Sequence, residues 1–265
     1  MGTFTPSFEG DIAFVTGASG GMGRAIAIAF ARAGAKVVLT DVNDAGGEET
    51  VALANSAAAG SATPGGEAVH VRADVSDGPQ VAAAVAVAVQ RFGGLTCAVN
   101  AAAIETETAL LHESTEDSFD RMIAVNLRGV FLSMQHELRA ILAHGTGGAI
   151  VNIASTNAFR PQPHQAAYTA AKHGVMGLTR AAAIDYAPLG IRVNAICPGG
   201  IDTPMLQNAM ARRGRDPQDV INRLSLLGRF GTVDEIANAA LWLCSDSSSY
   251  TVGHPLAVDA GYLAR

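Results

Sequence analysis

The sequence predicts an α/β fold: a doubly wound parallel sheet of about seven strands with helices on both faces. Three observations predict it. Short apolar runs alternate with longer stretches of helical periodicity along the chain. The apolar runs are near-continuous, as in strands buried on both faces. A glycine-rich turn joins the first apolar run to the first helical stretch, which is the setting of a phosphate-binding turn.

Strands are expected at about 12–16, 36–41, 68–72, 95–100, 148–154, 191–197 and 255–258. Helices are expected near 22–33, 45–58, 79–92, 118–143, 166–187 and 233–245. Right-handed crossovers between parallel strands put the strand-end residues, among them Asp41, Asn100, Ser155 and Pro198, on one sheet edge, where ligands bind. The 265 residues suit one domain, 1–265, with no internal repeat. Residues 55–67 are rich in Gly, Ala, Ser and Pro and read as a surface turn. Residues 201–229 break the alternation beside the ligand edge and read as a substrate lid.

The glycine turn runs Thr16-Gly-Ala-Ser-Gly-Gly-Met-Gly23. Its Gly17, Ser19, Gly21, Met22 and Gly23 are candidate dinucleotide contacts. Glycines let backbone approach a pyrophosphate, and the following helix N-terminus favours its charge. The chain lacks the Gly-Lys-Ser/Thr ending of a nucleoside-triphosphate loop. Asp41 ends the second strand, eighteen positions after Gly23. A carboxylate about there binds a ribose 2′-hydroxyl and repels a 2′-phosphate. It can also cap the next helix. Residues 41–44 hold no Arg or Lys, and Arg24 belongs to the first helix, so the expected cofactor is NAD.

Ser155 ends an apolar strand, Tyr168 follows thirteen positions later, and Lys172 four after that. Residues at i and i+4 share a helix face, so phenol and ammonium are neighbours. A free Tyr, with a pKa near ~10, is a poor base at neutral pH, and a nearby cation lowers that value. Ser155 would hold an alcohol oxygen while Tyr168 takes its proton. None of the three accepts hydride, so redox chemistry needs a cofactor. Tyr-x-x-x-Lys alone is common on ordinary helices; its coincidence with Ser155 and the glycine turn carries the reading.

On these motifs the chain resembles the short-chain dehydrogenase/reductase family, a Rossmann-type group dependent on NAD or NADP, from Gly10 to Tyr262. The TGxxxGxG, YxxxK and catalytic Ser elements match Thr16 to Gly23, Tyr168 to Lys172 and Ser155. The resemblance implies that Asn126 completes a proton relay through a water next to Lys172. It implies that Asp74 and Val75 flank the adenine, and that Pro198, Ile201 and Thr203 lie near the nicotinamide. It also implies that Lys172 and Tyr168 touch the nicotinamide ribose. The family's Asn-Asn-Ala-Gly segment is Asn100-Ala-Ala-Ala103 here. Asn100 and Ala102 are its expected cofactor contacts, and the missing Asn amide removes hydrogen bonds from the central strand. The resemblance further implies a homotetramer built through helices 118–143 and 166–187.

Composition sets limits. Apolar residues make up 49% and charged residues 16%, enough for a large core and suggestive of surface hidden between subunits. The net charge of −6, with no basic run, argues against a nucleic-acid partner. Cys97, Cys197 and Cys244 are odd in number and sit in apolar settings, which reads as reduced thiols in a cytoplasmic protein. No basic-then-apolar leader precedes Gly10, and residues 81–89 fall far short of the roughly 20 that cross a membrane. No His/Cys spacing suggests a metal.

The expected function is hydride transfer between a secondary alcohol, or its ketone, and NAD(H), with Tyr168 as general base and acid. Apolar residues in 201–229 suggest a medium-sized, partly hydrophobic, cyclic alcohol; neither the substrate nor the physiological direction follows from the sequence. Two rival functions stay open: an NADPH-dependent 3-oxoacyl-type reductase of the same family, and a non-catalytic dinucleotide sensor. His164 reads as a loop residue rather than an acid–base group, the Arg212, Arg213 and Arg215 cluster as a solvated face or else an anion-binding lid, and the Met and Leu side chains of 205–210 as either core or substrate contacts; whether His164 or the arginines touch substrate does not follow from the sequence.

Overall fold

The computed structural model describes residues 6–265. Its strands are β1 (Ile12–Thr16), β2 (Lys36–Asp41), β3 (Glu67–Arg72), β4 (Cys97–Asn100), β5 (Gly148–Ile153), β6 (Ile191–Pro198) and β7 (Pro255–Val258). They form one parallel sheet in the order β3-β2-β1-β4-β5-β6-β7. The strand order reverses between β1 and β4, and a crevice opens at such a switch point. Thr16 pairs with Thr40 on one side and with Asn100 on the other, so β1 and β4 end level and β2 runs one residue further, to Asp41.

β1 is buried throughout because both its faces are covered. Ala13 and Val15 join a core with Ile26, Phe30 and Leu241. Ile12 and Phe14 point the other way, into a core with Ile141 and Val175. The period-2 pleat thus feeds two hydrophobic layers from one continuous apolar run. The helices are α1 (Gly21–Arg32), α2 (Asp44–Ala59), α3 (Gly78–Val87), α4 (Glu116–Ile123), α5 (Gly129–His144), α6 (Ala166–Tyr186), α7 (Pro204–Arg212), α8 (Pro217–Leu224) and α9 (Val233–Cys244). Local chemistry sets their starts. The Asn43 side chain accepts from Gly46 N to open α2, and Asp77 accepts from Gln80 N to open α3. Thr232 and Glu235 form a capping box at α9. No described helix is long and apolar enough to cross a membrane.

Four expectations shift. The single helix expected over 118–143 is α4, then a π turn at Ala124–Arg128, then α5. A π turn inserts one residue and re-aims its side chains, which apolar periodicity does not reveal. The helix expected over 79–92 likewise closes on a π turn, Ala88–Phe92. The turn expected over 55–67 is shorter, because α2 runs to Ala59 and β3 begins at Glu67. Residues 201–229 are not a bare loop. They carry α7 and α8, each with Pro in its first turn and capped by the side chains of Thr203 and Asp216.

Candidate active site

Gly17 and Gly23 are required where they stand. Gly17 has φ +68°, and a Cβ on it would lie 2.6 Å from the Ala102 backbone. A Cβ on Gly23 would lie 2.2 Å from the Gly17 carbonyl oxygen. The turn therefore folds tightly onto the end of β4 and leaves the α1 N-terminus open to a crevice of about 490 Å³. Gly21, at φ +53°, Ser19 and Met22 line that crevice with Gly17 and Gly23. Asp41, Asp74, Val75, Ala102 and Thr203 line it as well.

Asp41 does two jobs at once. Its Oδ2 accepts from Ser19 N at 3.0 Å and its Oδ1 from Asn43 N at 3.0 Å, so the carboxylate fixes the glycine turn from the end of β2. Each oxygen keeps capacity for a further donor. Asp74 accepts from the N–H and hydroxyl of Ser76 through its Oδ1, at 2.8 and 2.7 Å. Arg121 lines the crevice too, whereas Arg24 of α1 and Arg72 of β3 are already paired. Arg24 binds Glu49 at 2.6 Å and Thr50 at 3.0 Å, and Arg72 lies 3.4 Å from Asp44.

A second cavity, of about 160 Å³, adjoins the first. Ser155, Tyr168 and Lys172 line it together, with Pro198 and Ile201. The two cavities share Met22, Ala101, Ala103, Thr203 and Met205. Thr203 is buried there as the cap of α7, its Oγ1 accepting from Leu206 N at 3.3 Å. Met205, Leu206 and Met210 face the second cavity, which settles them as cavity wall. His164 lines neither cavity and adopts φ +62°, as a loop residue.

Lys172 is buried, donates to the Ile153 carbonyl at 2.7 Å, and lies 5.6 Å from the Tyr168 ring centroid. Burial pushes its ammonium down to about 8. Burial likewise pushes the Tyr168 phenol up, to about 12; the Ser155 hydroxyl, hydrogen-bonding it, pulls down and the Glu105 charge pushes up. Burial thus opposes the acidifying effect expected of Lys172 on the phenol. Loss of water outweighs a cation whose own charge is disfavoured by the same burial.

Two predicted residues stand elsewhere. The Asn100 side chain turns into the protein and lines neither cavity. It donates to Glu137 and to Asn152, both at 3.0 Å. Asn126, 0% exposed on the π turn, also lines neither cavity. Its side chain accepts from Ile104 N and donates to Ile104 O, both at 2.8 Å, and so pins the segment after β4. Ala103 needs no left-handed backbone, so the departure from the family's Gly there is unstrained. Thr16 Oγ1 accepts from Ala101 N and Ala102 N, both at 3.1 Å, and steadies this end of β4.

The sequence reading missed Glu105 and Glu107. Both are buried in the segment after β4. Arg213 donates to the Glu105 carboxylate and to the Glu107 carbonyl, while Arg212 reaches the Glu105 carbonyl. The Arg213 side chain is only 8% exposed, so the solvated face expected for the arginine cluster is wrong at that position. A buried carboxylate holds it there. The available signal was the spacing Ile104-Glu-Thr-Glu107 directly after a strand end, in a chain poor in charge.

Comparison with known proteins agrees with this arrangement. The sequence profile described as enoyl-(acyl carrier protein) reductase matches residues 17–263. A short chain dehydrogenase/reductase of Aspergillus oryzae is 41% identical over 96% of this chain and 95% of its own. A 2,5-dichloro-2,5-cyclohexadiene-1,4-diol dehydrogenase of Sphingobium indicum is 40% identical over 97% of this chain and 98% of its own. The crystal structure of levodione reductase superposes with a TM-score of 0.89 at 37% identity, covering 97% of this chain and 99% of that one. By fold, motifs and near-full-length identity, the chain belongs to the short-chain dehydrogenase/reductase family of oxidoreductases, which act on alcohol and ketone carbons with a nicotinamide dinucleotide.

Proposed function

We propose that this protein interconverts a secondary, alicyclic alcohol and its ketone, with NAD(H) as cofactor. One observation carries the reading: Ser155, Tyr168 and Lys172 line a single cavity that shares a wall with the glycine-turn crevice. The crevice fits a dinucleotide. Gly17 and Gly23 admit close backbone approach, and the α1 N-terminus lies open beside them. Asp41, with Arg24 and Arg72 engaged elsewhere, favours a free ribose 2′-hydroxyl and so NAD over NADP.

When bound, the nicotinamide supplies the hydride acceptor or donor. The chain's own residues handle the oxygen and its proton. Ser155 Oγ hydrogen-bonds the substrate oxygen. Tyr168 takes the hydroxyl proton in oxidation and returns it in reduction. Lys172 presents a cation to the phenolate as it forms and to the cofactor ribose. Asn126 acts through the backbone of residue 104, holding the wall of the site in place. The apolar side chains of α7 and α8 exclude water above the reacting carbon.

The similarity to a cyclohexadienediol dehydrogenase supports an alicyclic substrate. Residues 1–265 act as one domain with 201–229 as lid. Exposed Phe131 and Leu142 on α5, with half-buried Leu178 on α6, border an apolar groove and support assembly of copies into a homotetramer. Three buried, unpaired thiols support a reducing, cytoplasmic setting. The test is a screen of cyclic secondary alcohols for NAD reduction, alongside Tyr168→Phe. The variant should lose turnover while still binding NADH by fluorescence; substantial residual turnover refutes the assigned base.

A further inference from the structure

The lining of the second cavity carries more positive charge than ketone–alcohol chemistry requires. Ser155 and Tyr168 are among its polar residues. Met205, Leu206, Val220 and Leu224 are among its apolar ones. Arg213, Arg215 and Arg223 contribute to the same wall, and Glu105 is its only acidic member among the described residues. Glu105 is already taken, by Arg213 and Arg212. No carboxylate among the described residues pairs with Arg215 or Arg223. Arg215 feels the strain of this crowding: burial, then the Arg223 and Arg213 charges, push its guanidinium down. The Nε of Arg213, buried in the same wall, has no hydrogen-bond partner. An orphaned buried donor and two unpaired guanidinium groups form a donor site for an anion.

We propose that the substrate carries a carboxylate, seated by Arg215 and Arg223 of the lid, in the same cavity whose Ser155 and Tyr168 hold its hydroxyl. This rests on the dehydrogenase reading above and narrows it to alicyclic hydroxy acids and their keto acids. Glu105 keeps Arg213 from being a third free charge and orients the wall. Closing the lid over a neutral alcohol leaves the positive charge uncompensated; closing it over an acid neutralises it. Selectivity therefore lies in α7, α8 and the turn between them.

The test compares 4-hydroxycyclohexanecarboxylate with cyclohexanol in the NAD-linked assay, for wild type and for Arg215→Gln, Arg223→Gln and the double variant. Wild type should favour the acid, and the acid-to-neutral ratio of kcat/KM should fall about 10- to 100-fold in the double variant. The preference should also shrink as NaCl is raised. Cyclohexanecarboxylate, which has no hydroxyl to oxidise, gives a second readout by calorimetry on the NADH-loaded protein. Its affinity should fall by a similar factor in any variant that keeps the wild-type melting temperature. A wild type indifferent to the carboxylate, or a ratio unmoved by both substitutions, overturns the proposal. If no alcohol is turned over yet cyclohexanecarboxylate binds in an Arg215- and Arg223-dependent way, the dehydrogenase reading fails and the anion site stands.

Discussion

The Glu107 carboxylate accepts hydrogen bonds from the backbone N–H groups of Ala167 and Tyr168, at 2.9 and 2.8 Å. Helix α6 has no side-chain cap from its own flanking residue. A carboxylate from the segment after β4 supplies it instead, satisfying two otherwise open N–H groups and favouring the helix dipole. The residue so anchored is the one that carries the phenol. Arg213 of the lid donates to the carbonyl of the same Glu107. One short segment thus ties the lid to the helix that bears Tyr168 and Lys172.

Glu107→Ala is expected to cost about 1–2 kcal/mol of stability, by loss of the cap. It should also lower kcat more than it raises KM, because the phenol's position relative to Ser155 loosens. Urea unfolding and steady-state kinetics measure the two. A destabilised variant with wild-type kcat would show that the contact holds the fold and not the phenol. Glu107→Gln, which keeps one acceptor, should recover part of both.

The raised Tyr168 phenol sets the direction of the pH profile. Oxidation needs a phenol able to accept a proton, which is the deprotonated form, scarce below a value near 12. The kcat/KM for alcohol oxidation should therefore climb with pH through the alkaline range, by up to about tenfold per unit. Reduction needs the protonated phenol, which is already present at neutral pH, so its profile should be flat there and fall only at high pH. Ser155→Ala removes the hydrogen bond that pulls the phenol down and should shift the oxidation limb further alkaline. An oxidation profile independent of pH from 7 to 10 (roughly three units, a thousandfold expectation at most) would contradict this assignment.

Beneath the site, Glu137 is fully buried against Asn100, and burial pushes its carboxyl up to about 8. Its folded value lies above the ordinary 4.5, so between those two the folded state holds a proton that the unfolded state has released. Stability contributed by this group is then greatest below about pH 4.5 and declines as pH rises toward 8. The slope is at most about 1.4 kcal/mol per pH unit. Glu137→Gln keeps the shape and cannot ionise. It should flatten the decline, and the melting temperatures of the two proteins should diverge most near pH 8. Parallel curves would mean that Glu137 is already ionised in the folded protein.

The parts of the site that lie on one local element were legible from spacing alone. Gly17, Gly23, Ser155, Tyr168 and Lys172 owe their positions to a turn, a strand end and one helix face. Residues whose role depends on where a side chain turns were not. Asn100 sits at the expected strand end, but its amide serves the buried Glu137 and Asn152 rather than the crevice. Asn126 sits on a π turn that periodicity cannot distinguish from a continuous helix. Arg213 meets Glu105 and Glu107 across 108 and 106 positions, beyond the reach of any local pattern. Burial, invisible in the order of residues, reverses the expected balance between Tyr168 and Lys172.

Cofactor choice follows from what surrounds Asp41. A 2′-phosphate placed there would face a carboxylate, and like-charge contact of this kind costs several kcal/mol. Arg24 of α1 and Arg72 of β3 do not offset it. Arg24 is held by Glu49, Thr50 and the Ser19 carbonyl, and Arg72 by Asp44. NAD should therefore be preferred to NADP by at least about 100-fold in kcat/KM. Asp41→Ser should erode the preference mainly by improving NADP. It should also weaken NAD binding, because Ser19 N and Asn43 N lose an acceptor and the glycine turn relaxes. Titration of both dinucleotides by fluorescence separates these effects from turnover. Tighter NADP than NAD binding by the unaltered protein would place the 2′-group somewhere other than beside Asp41.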